Sequence, residues 1–200
     1  MNLGAAGKGL MALLVIAVII SLVTLFSGKK PIGSEHLIGK RLPDFAAPLA
    51  GSGIDGGANV YTPAQAKAND ATAACDVQIA GSMNSCDDLK GAAVVLFWNA
   101  DKKECVEQVD RLQAVLRNQK QVNSVAVAFG NSMGAATAAK NKHGWKLPVA
   151  VDDDGALAAL YSVAGCPSTF FAKDGVIRGV KLGLQSTAEL EAEIKRYTGG

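Results

Sequence analysis

The chain has 200 residues, with 20 Lys and Arg against 18 Asp and Glu, so its formal net charge is +2 at pH 7. Hydrophobic residues make up 49% and charged residues 19%, which can supply a folded core and excludes a disordered chain. The length allows one domain of ordinary size plus an appendage. No basic segment is interleaved with aromatic residues, so we expect no nucleic-acid partner.

The first predicted element is an apolar helix near the amino terminus. Residues 10–26 carry no charge and, with their small flanking residues, are long enough to cross a hydrocarbon core of about 30 Å. A cleaved signal peptide is the alternative, since Lys8 precedes the segment. The segment is longer than a usual signal-peptide core, however, and no A-x-A-like cleavage site follows it. We therefore expect residues 1–30 to be a cytoplasmic tail and transmembrane signal anchor.

Charge does not orient this predicted anchor, because Lys8 lies on one side of it and Lys29 and Lys30 on the other. The cysteines favour one orientation, since an even number is consistent with disulfides and disulfides persist outside the cytosol. They are Cys75, Cys86, Cys105 and Cys166. We expect a single-pass protein whose soluble domain is extracytoplasmic.

Residues 31–90 are predicted to form a stalk and an irregular extension. The part from 46 to 88 is rich in Gly, Ala, Asn and Asp, and a loop of this length is usually functional or held by a crosslink. Cys75 and Cys86 lie within it, and a disulfide between them would stabilise the fold by about 2–3 kcal/mol in the chain-entropy model. We expect this disulfide to be structural. A metal site is less well supported, because neither histidine is close in sequence.

A regular alternation of strands and helices begins near Lys90. Residues 92–98 and 124–129 are continuous apolar segments, typical of strands buried on both faces. Residues 101 to about 119 have the apolar stripe of a helix. Its D-x-x-E start predicts an N-cap at Asp101 and places Cys105 one turn into the helix.

The remaining segments predict further helices at 134–143 and 156–161 and an extended piece at 148–151. Asp152 is expected to belong to a turn that caps the second of these helices, and His143 to contact the end of the first. Residues 168–172 and 176–182 flank a Lys-Asp-Gly turn typical of a hairpin, and Ser186 opens a final helix ending near residue 197. This order predicts a three-layer α/β/α domain with a mixed central sheet over residues 91–200.

Two stretches of this core carry recognisable motifs. They are VVLFWNADKKEC, from Val94 to Cys105, and LPVAVDDDGALAALYSVAGCPSTFFAKDGVI, residues 147–177. The first resembles the strand, W-A-x-x-C-x-x-C motif and helix start of TlpA/ResA-type membrane-anchored thiol–disulfide oxidoreductases. The second resembles the segment of these proteins that ends in G-x-P-[ST]-x-F, whose proline is cis and faces the CxxC. The resemblance covers about residues 38–198.

This resemblance implies a thioredoxin-like domain behind one transmembrane helix, at a bacterial plasma membrane, without a cofactor. The sequence also departs from the CxxC motif of this family. Aligning Trp98 with the tryptophan of the family puts Lys102 at the first, nucleophilic cysteine and Cys105 at the second, resolving one. Because the usual mechanism needs one thiolate to attack a substrate disulfide and another to release the mixed disulfide, this incomplete CxxC cannot follow it.

The implied cis residue is Pro167, and the residue before it is Cys166. Since the resemblance places this proline opposite the CxxC position, it brings Cys166 close to Cys105. The two can form a disulfide if their Cα atoms lie within about 4.4–6.8 Å. We predict thiol–disulfide exchange through this non-contiguous pair. The predicted groove for a protein thiol or an extended peptide segment consists of Trp98, Lys102 and Pro167.

Two alternatives remain open. The first is a redox-inert binding module that keeps the groove at Pro167 and uses its disulfides only to hold the fold, with Cys105 a small buried core residue. The second, less well supported, is a peroxiredoxin-type peroxidase. Its P-x-x-x-[TS]-x-x-C pattern would need proline at Trp98 and threonine or serine at Lys102.

Overall fold

The computed structural model of the protein describes residues 33–54 and 56–199. Residues 1–32, which contain the predicted transmembrane anchor, lie outside the described residues. Within the described ranges, no helix has both the length and the apolar character needed to span a membrane.

The described residues form seven strands, six α-helices and two short 3₁₀ helices, Ser34–Leu37 and Ala74–Asp76. The strands are β1 (Ala46–Pro48), β2 (Ser82–Asn84), β3 (Ala92–Trp98), β4 (Val122–Phe129), β5 (Val149–Asp152), β6 (Ser168–Lys173) and β7 (Val176–Leu182). The helices are α1 (Pro63–Ala68), α2 (Ser85–Asp88), α3 (Lys103–Leu116), α4 (Met133–His143), α5 (Ala156–Leu160) and α6 (Thr187–Thr198).

A mixed five-stranded sheet forms the centre of the domain, in the order β5-β4-β3-β6-β7. Strand β4 is parallel to β3 and to β5, whereas β6 is antiparallel to both β3 and β7. All seven residues of β3 are buried, as the continuous apolar segment predicts for a strand covered on both faces. The predicted thioredoxin-like α/β fold with a mixed sheet is confirmed.

Alternate residues of β3 enter two different cores. Val94, Leu96 and Trp98 belong to a core that includes residues of α3, α4 and α6. Ala93, Val95 and Phe97 belong to a second core that includes residues of β1, β2 and α5. The side-chain period of two along a strand therefore places apolar layers on both faces of the sheet.

The extension before β3 is more regular than the sequence indicates. Strands β1 and β2 pair antiparallel, and α1 begins with a capping box between Thr62 and Gln65. The Nδ2 group of Asn84 donates to the carbonyl oxygens of Ala74, Cys75 and Val77, each at 3.0 Å. These elements are only three to six residues long and are held by side-chain hydrogen bonds, so they leave little periodic signal in the sequence.

The predicted N-cap of α3 is wrong by one residue. The cap is Lys102, whose side chain makes no capping hydrogen bond. The backbone N–H of Asp101 donates instead to Oδ1 of Asn99 at 2.9 Å, and this local turn delays the start of the helix.

The second half of the domain follows its sequence signals closely. Asp174 and Gly175 both have positive φ, as the two-residue turn of the β6–β7 hairpin requires. Ser186 and Glu189 form the predicted capping box of α6. The buried carboxylate of Asp152 accepts the N–H groups of Leu157 at 2.9 Å and Ala158 at 2.8 Å, so it caps α5 from outside the helix.

Candidate functional site

Two segments meet at the carboxyl end of β3. The chain leaves β3 at Trp98 and enters α3 at Lys103, which puts Cys105 in the first turn of the helix. Ser168, the first residue of β6, pairs with Phe97 near the end of β3. Because β6 runs antiparallel to β3, the residues just before Ser168 lie beside the start of α3.

Cys105 and Cys166 form a disulfide at this point. Their Cα atoms are 5.5 Å apart across a sequence separation of 61, within the usual range for a disulfide. The peptide bond between Cys166 and Pro167 is cis. Cys105 is 1% exposed, whereas Cys166 is half-buried and borders solvent. Of the two cysteines, Cys166 is therefore the more accessible from the surface.

Lys102 stands directly at the amino end of α3. Its carbonyl oxygen accepts the N–H of Cys105 at 3.0 Å and that of Val106 at 3.1 Å, and its side chain is exposed. The residue three positions before Cys105 thus carries a solvated cation where the aligned motif has a thiol. Lys102 and Lys103 flank this helix end together with the acidic Asp101 and Glu104, so the helix dipole is what favours an anion there.

Two asparagines that the sequence analysis missed hold the loop between β3 and α3. Asn99 donates through Nδ2 to the carbonyl oxygen of Phe129 at 3.0 Å. Asn131, which is buried, accepts the N–H of Ala100 at its Oδ1 at 2.8 Å. Both follow the carboxyl ends of adjacent parallel strands. That position is the only signal the sequence offered.

Trp98 does not line the groove, in contrast to the prediction. The residue is fully buried, and its ring packs edge-on against Trp145 with 4.9 Å between centroids. The indole N–H of Trp145 donates to Asp110 at 2.6 Å, and Nδ1 of His143 lies 3.0 Å from the same carboxylate. The side chain of His143 therefore contacts α3 instead of capping its own helix. Because side chains alternate along β3, Trp98 points into the core that contains residues of α3, α4 and α6.

A second buried link joins α3 to the segment before α6. Gln108, one turn after Cys105, accepts the N–H of Gln185 at its Oε1 at 2.8 Å, and both side chains are buried. The guanidinium of Arg111 donates to the carbonyl oxygen of Gln185 at 2.6 Å. These contacts fix the face of α3 that carries Cys105. They join residues 77 and 74 positions apart, so no local pattern could have indicated them.

An open cleft of about 250 Å³ lies on the solvent side of the disulfide. It is lined by Ala164, Gly165, Cys166, Pro167, Ser168, Leu182 and Gly183. Nearby apolar side chains are unusually exposed, with Leu182 at 53% and Leu184 at 38%. The cleft therefore brings an apolar margin and one cysteine of the disulfide to the same surface.

The second disulfide joins Cys75 and Cys86 in the extension, with Cα atoms 5.6 Å apart. A carboxylate oxygen of Asp44 and the two sulfur atoms all lie within 4.8 Å of one another. Because the sulfurs are bonded to each other, neither offers the thiolate that a metal would need. Cys86 also borders an open cleft of about 560 Å³ that reaches Gly91 and Gly175.

The fold and the arrangement of the site define a thioredoxin-like protein with a disulfide beside the start of α3. The chain belongs to the AhpC/TSA family, which matches residues 38–180. Among curated protein sequences, no significant match to the chain was found.

Solved structures of three bacterial proteins illustrate the likeness. A secreted disulfide oxidoreductase of Mycobacterium tuberculosis, homologous to E. coli DsbE, is 22% identical over 58% of this chain and 89% of its own, with a TM-score of 0.53. A Chlorobium tepidum protein assigned as thiol:disulfide interchange protein DsbE is 20% identical over 80% of this chain and 96% of its own, with a TM-score of 0.61. A Corynebacterium glutamicum thiol-disulfide isomerase is 23% identical over 58% and 86%, with a TM-score of 0.52. At these identities the likeness supports the fold.

Proposed function

We propose that the protein exchanges disulfides with a partner protein through Cys105 and Cys166, on the outer side of a bacterial plasma membrane. One observation carries the proposal: a disulfide links the start of α3 to the residue before Pro167 and borders an open cleft. An accessible disulfide can be attacked by a thiolate through a mixed-disulfide intermediate.

The exchange balances without a cofactor. A partner thiolate bonds to one sulfur of the pair, and the other sulfur leaves as a thiolate. A second thiol of the partner, once deprotonated, then displaces the bound cysteine and completes the partner's disulfide. The partner loses two electrons and two protons, and the Cys105/Cys166 pair gains them. The reverse sequence reduces a partner disulfide.

The partner proposed for this site is a cysteine-bearing segment in an extended conformation. Pro167 lies in the cleft wall, and the exposed Leu182 and Leu184 offer an apolar surface for residues that flank the partner's cysteine. Lys102 is exposed at the start of α3 and can meet negative charge on that segment. This assignment keeps Pro167 and Lys102 in the proposed groove and leaves Trp98 out.

The proposed location rests on three observations. The uncharged segment of residues 10–26 has the length of a membrane span, and the described chain contains two disulfides. The Mycobacterium tuberculosis relative is described as secreted. We therefore propose that residues 1–30 tether the domain, with Cys75–Cys86 as a structural crosslink in an oxidising compartment.

A redox-inert binding module is the second candidate, and Lys102 favours it because loss of the first cysteine removes the usual nucleophile. Peroxide reduction has weaker support. The chain belongs to the AhpC/TSA family, but Lys102 stands where the peroxidase pattern has Thr or Ser, and Trp98 stands where it has Pro. Cys105 is also 1% exposed and already bonded to Cys166.

Dithiol oxidation by the full-length chain, purified in mild detergent, distinguishes these functions. The substrate is a peptide with two cysteines, and its disulfide is quantified by alkylation and mass spectrometry. The wild type and Cys75→Ser/Cys86→Ser are expected to oxidise about one peptide per chain, and Cys105→Ser/Cys166→Ser none. No oxidation by folded wild-type protein would favour the binding module. Hydrogen peroxide consumption that requires Cys105 would favour the peroxidase.

A further inference from the structure

We infer that the partner thiolate attacks the sulfur of Cys166 and that Cys105 is the leaving group. The mixed disulfide then forms on Cys166, the residue outside the helix. This inference rests on the proposed exchange function and assigns the roles of the two sulfurs within it.

Access to the two sulfurs is the first argument. An attacking thiolate approaches in line with the disulfide, from the side opposite the leaving sulfur, so the attacked residue must be open on its outer side. Cys105 is 1% exposed and belongs to the core cluster that contains Val109 and Leu112. Cys166 is half-buried and lines the open cleft beside Pro167. A thiolate in solution can therefore reach Cys166 but not Cys105.

The stability of the leaving thiolate is the second argument. Cys105 is the third residue of α3, a helix of 14 residues, where the helix dipole favours a negative charge. Lys102 and Lys103 lie at the same end together with the acidic Asp101 and Glu104, so the helix dipole is the main source of this stabilisation. A thiolate that its surroundings stabilise leaves more readily, so the start of α3 favours the departure of Cys105. Cys166 lies just before strand β6 and not at the start of a helix, so no helix dipole stabilises a thiolate there.

The bond changes follow from these roles. The partner's S⁻ bonds to Sγ of Cys166, the bond between Cys166 and Cys105 breaks, and its electron pair stays on Sγ of Cys105. A second partner thiolate then attacks the partner's own sulfur and releases Cys166 as a thiolate. In the reverse direction, the Cys105 thiolate displaces the partner from Cys166. Cys166 thereby takes the attacked position that Lys102 cannot fill.

Trapping the mixed disulfide tests the assignment. Oxidised full-length wild type is mixed with a peptide that has a single cysteine, quenched in acid within seconds, and mapped by mass spectrometry. We expect the peptide on Cys166 in at least about tenfold excess over Cys105, since access and leaving-group strength act in the same direction.

Single variants provide a second measurement, because each leaves one free thiol at the site. Reduced Cys105→Ser and Cys166→Ser are treated with the same peptide activated as a mixed disulfide, and circular dichroism checks their folding. Cys105→Ser, whose free thiol is the more accessible Cys166, is expected to form the adduct at least about tenfold faster than Cys166→Ser. Adducts on Cys105, together with oxidation of a dithiol peptide, would overturn this inference and leave the exchange function standing. Absence of both adducts and dithiol oxidation would overturn the exchange function itself.

Discussion

Cys86 and Cys105 lie beyond opposite ends of strand β3. Cys86 comes before the first residue of the strand, Ala92, and Cys105 comes after the last, Trp98. A strand of this length spans about 20 Å at roughly 3.3 Å per residue. The two disulfides are therefore separate sites, with Cys105–Cys166 beside the start of α3 and Cys75–Cys86 beside the β6–β7 turn.

Removal of the Cys75–Cys86 crosslink should lower stability without changing the redox behaviour of Cys105–Cys166. For a sequence separation of 11, the chain-entropy model gives a loss of about 3 kcal/mol in the free energy of unfolding of Cys75→Ser/Cys86→Ser. Urea unfolding measures this loss, and a redox titration measures the potential of the remaining pair. A shift of that potential by more than about 30 mV, which corresponds to 1.4 kcal/mol, would show that the two sites are coupled.

Lys102→Cys should restore a CxxC at the start of α3. Position 102 is the N-cap and Cys105 is three residues later, so the new thiol can compete with Cys166 for the Cys105 sulfur. We expect peptide mapping of the oxidised variant to find both disulfides. Lys103→Cys is the matched control, since it adds a thiol one position along the same exposed turn, and it should leave Cys105–Cys166 as the dominant pair. Equal competition by both new cysteines would contradict the alignment of Lys102 with the first cysteine.

Asn131→Ala should destabilise the loop before the functional helix. Asn131 is buried and supplies the acceptor for the N–H of Ala100, so its loss leaves a donor unpaired at a cost of about 1–3 kcal/mol. The exposed Asn141 of α4 is the matched control, and Asn141→Ala should change stability by no more than about 0.5 kcal/mol. Urea unfolding of both variants provides the comparison. Equal losses in the two variants would remove Asn131 from the account of how the loop is held.

Asp152 should make the stability depend on pH in a defined direction. Burial raises the pKa of this carboxyl above its ordinary value of 3.8, although the N–H groups of Leu157 and Ala158 oppose the shift. The folded state then holds the proton at pH values where the unfolded state has lost it. Stability from this group is therefore greatest at low pH and falls as the pH rises through the raised pKa.

Comparison with Asp152→Asn isolates that effect, because the amide does not titrate. The stability of the wild type relative to Asp152→Asn should decrease as the pH rises from about 3.5 to 7, measured by urea unfolding at each pH. A relative stability of the wild type that increases with pH would contradict the direction assigned to Asp152.

The elements that the sequence predicted best are those with purely local causes. Strand β3 matches the apolar segment residue for residue, and the capping box of Ser186 starts α6 where expected. The start of α3 was missed because its N-cap depends on competition: Asn99 takes the N–H of Asp101, and the D-x-x-E pattern does not reveal that acceptor. The extension before β3 was missed because its order depends on the side chain of Asn84 and on a crosslink.

The site was predictable only in part, and for a different reason. The approach of Cys105 to Cys166 followed from the resemblance to a known fold, since a separation of 61 residues carries no local signal. Trp98 was placed on the groove with the resemblance, and alternation along a strand buried on both faces could not correct this, because it does not say which face is nearer the surface. Gln108 and Gln185 were not found because the hydrogen bonds at this link join segments distant in sequence.

The measurement that tests the central claim most directly is a redox titration of the full-length protein, with disulfide mapping at each potential. The account predicts that Cys105–Cys166 opens and closes reversibly between about −120 and −270 mV, the range of known thiol–disulfide oxidoreductases. Cys75–Cys86 should stay closed to below about −300 mV, as structural disulfides do. If Cys105–Cys166 also stays closed below about −300 mV, the pair is a structural crosslink and the exchange function is contradicted.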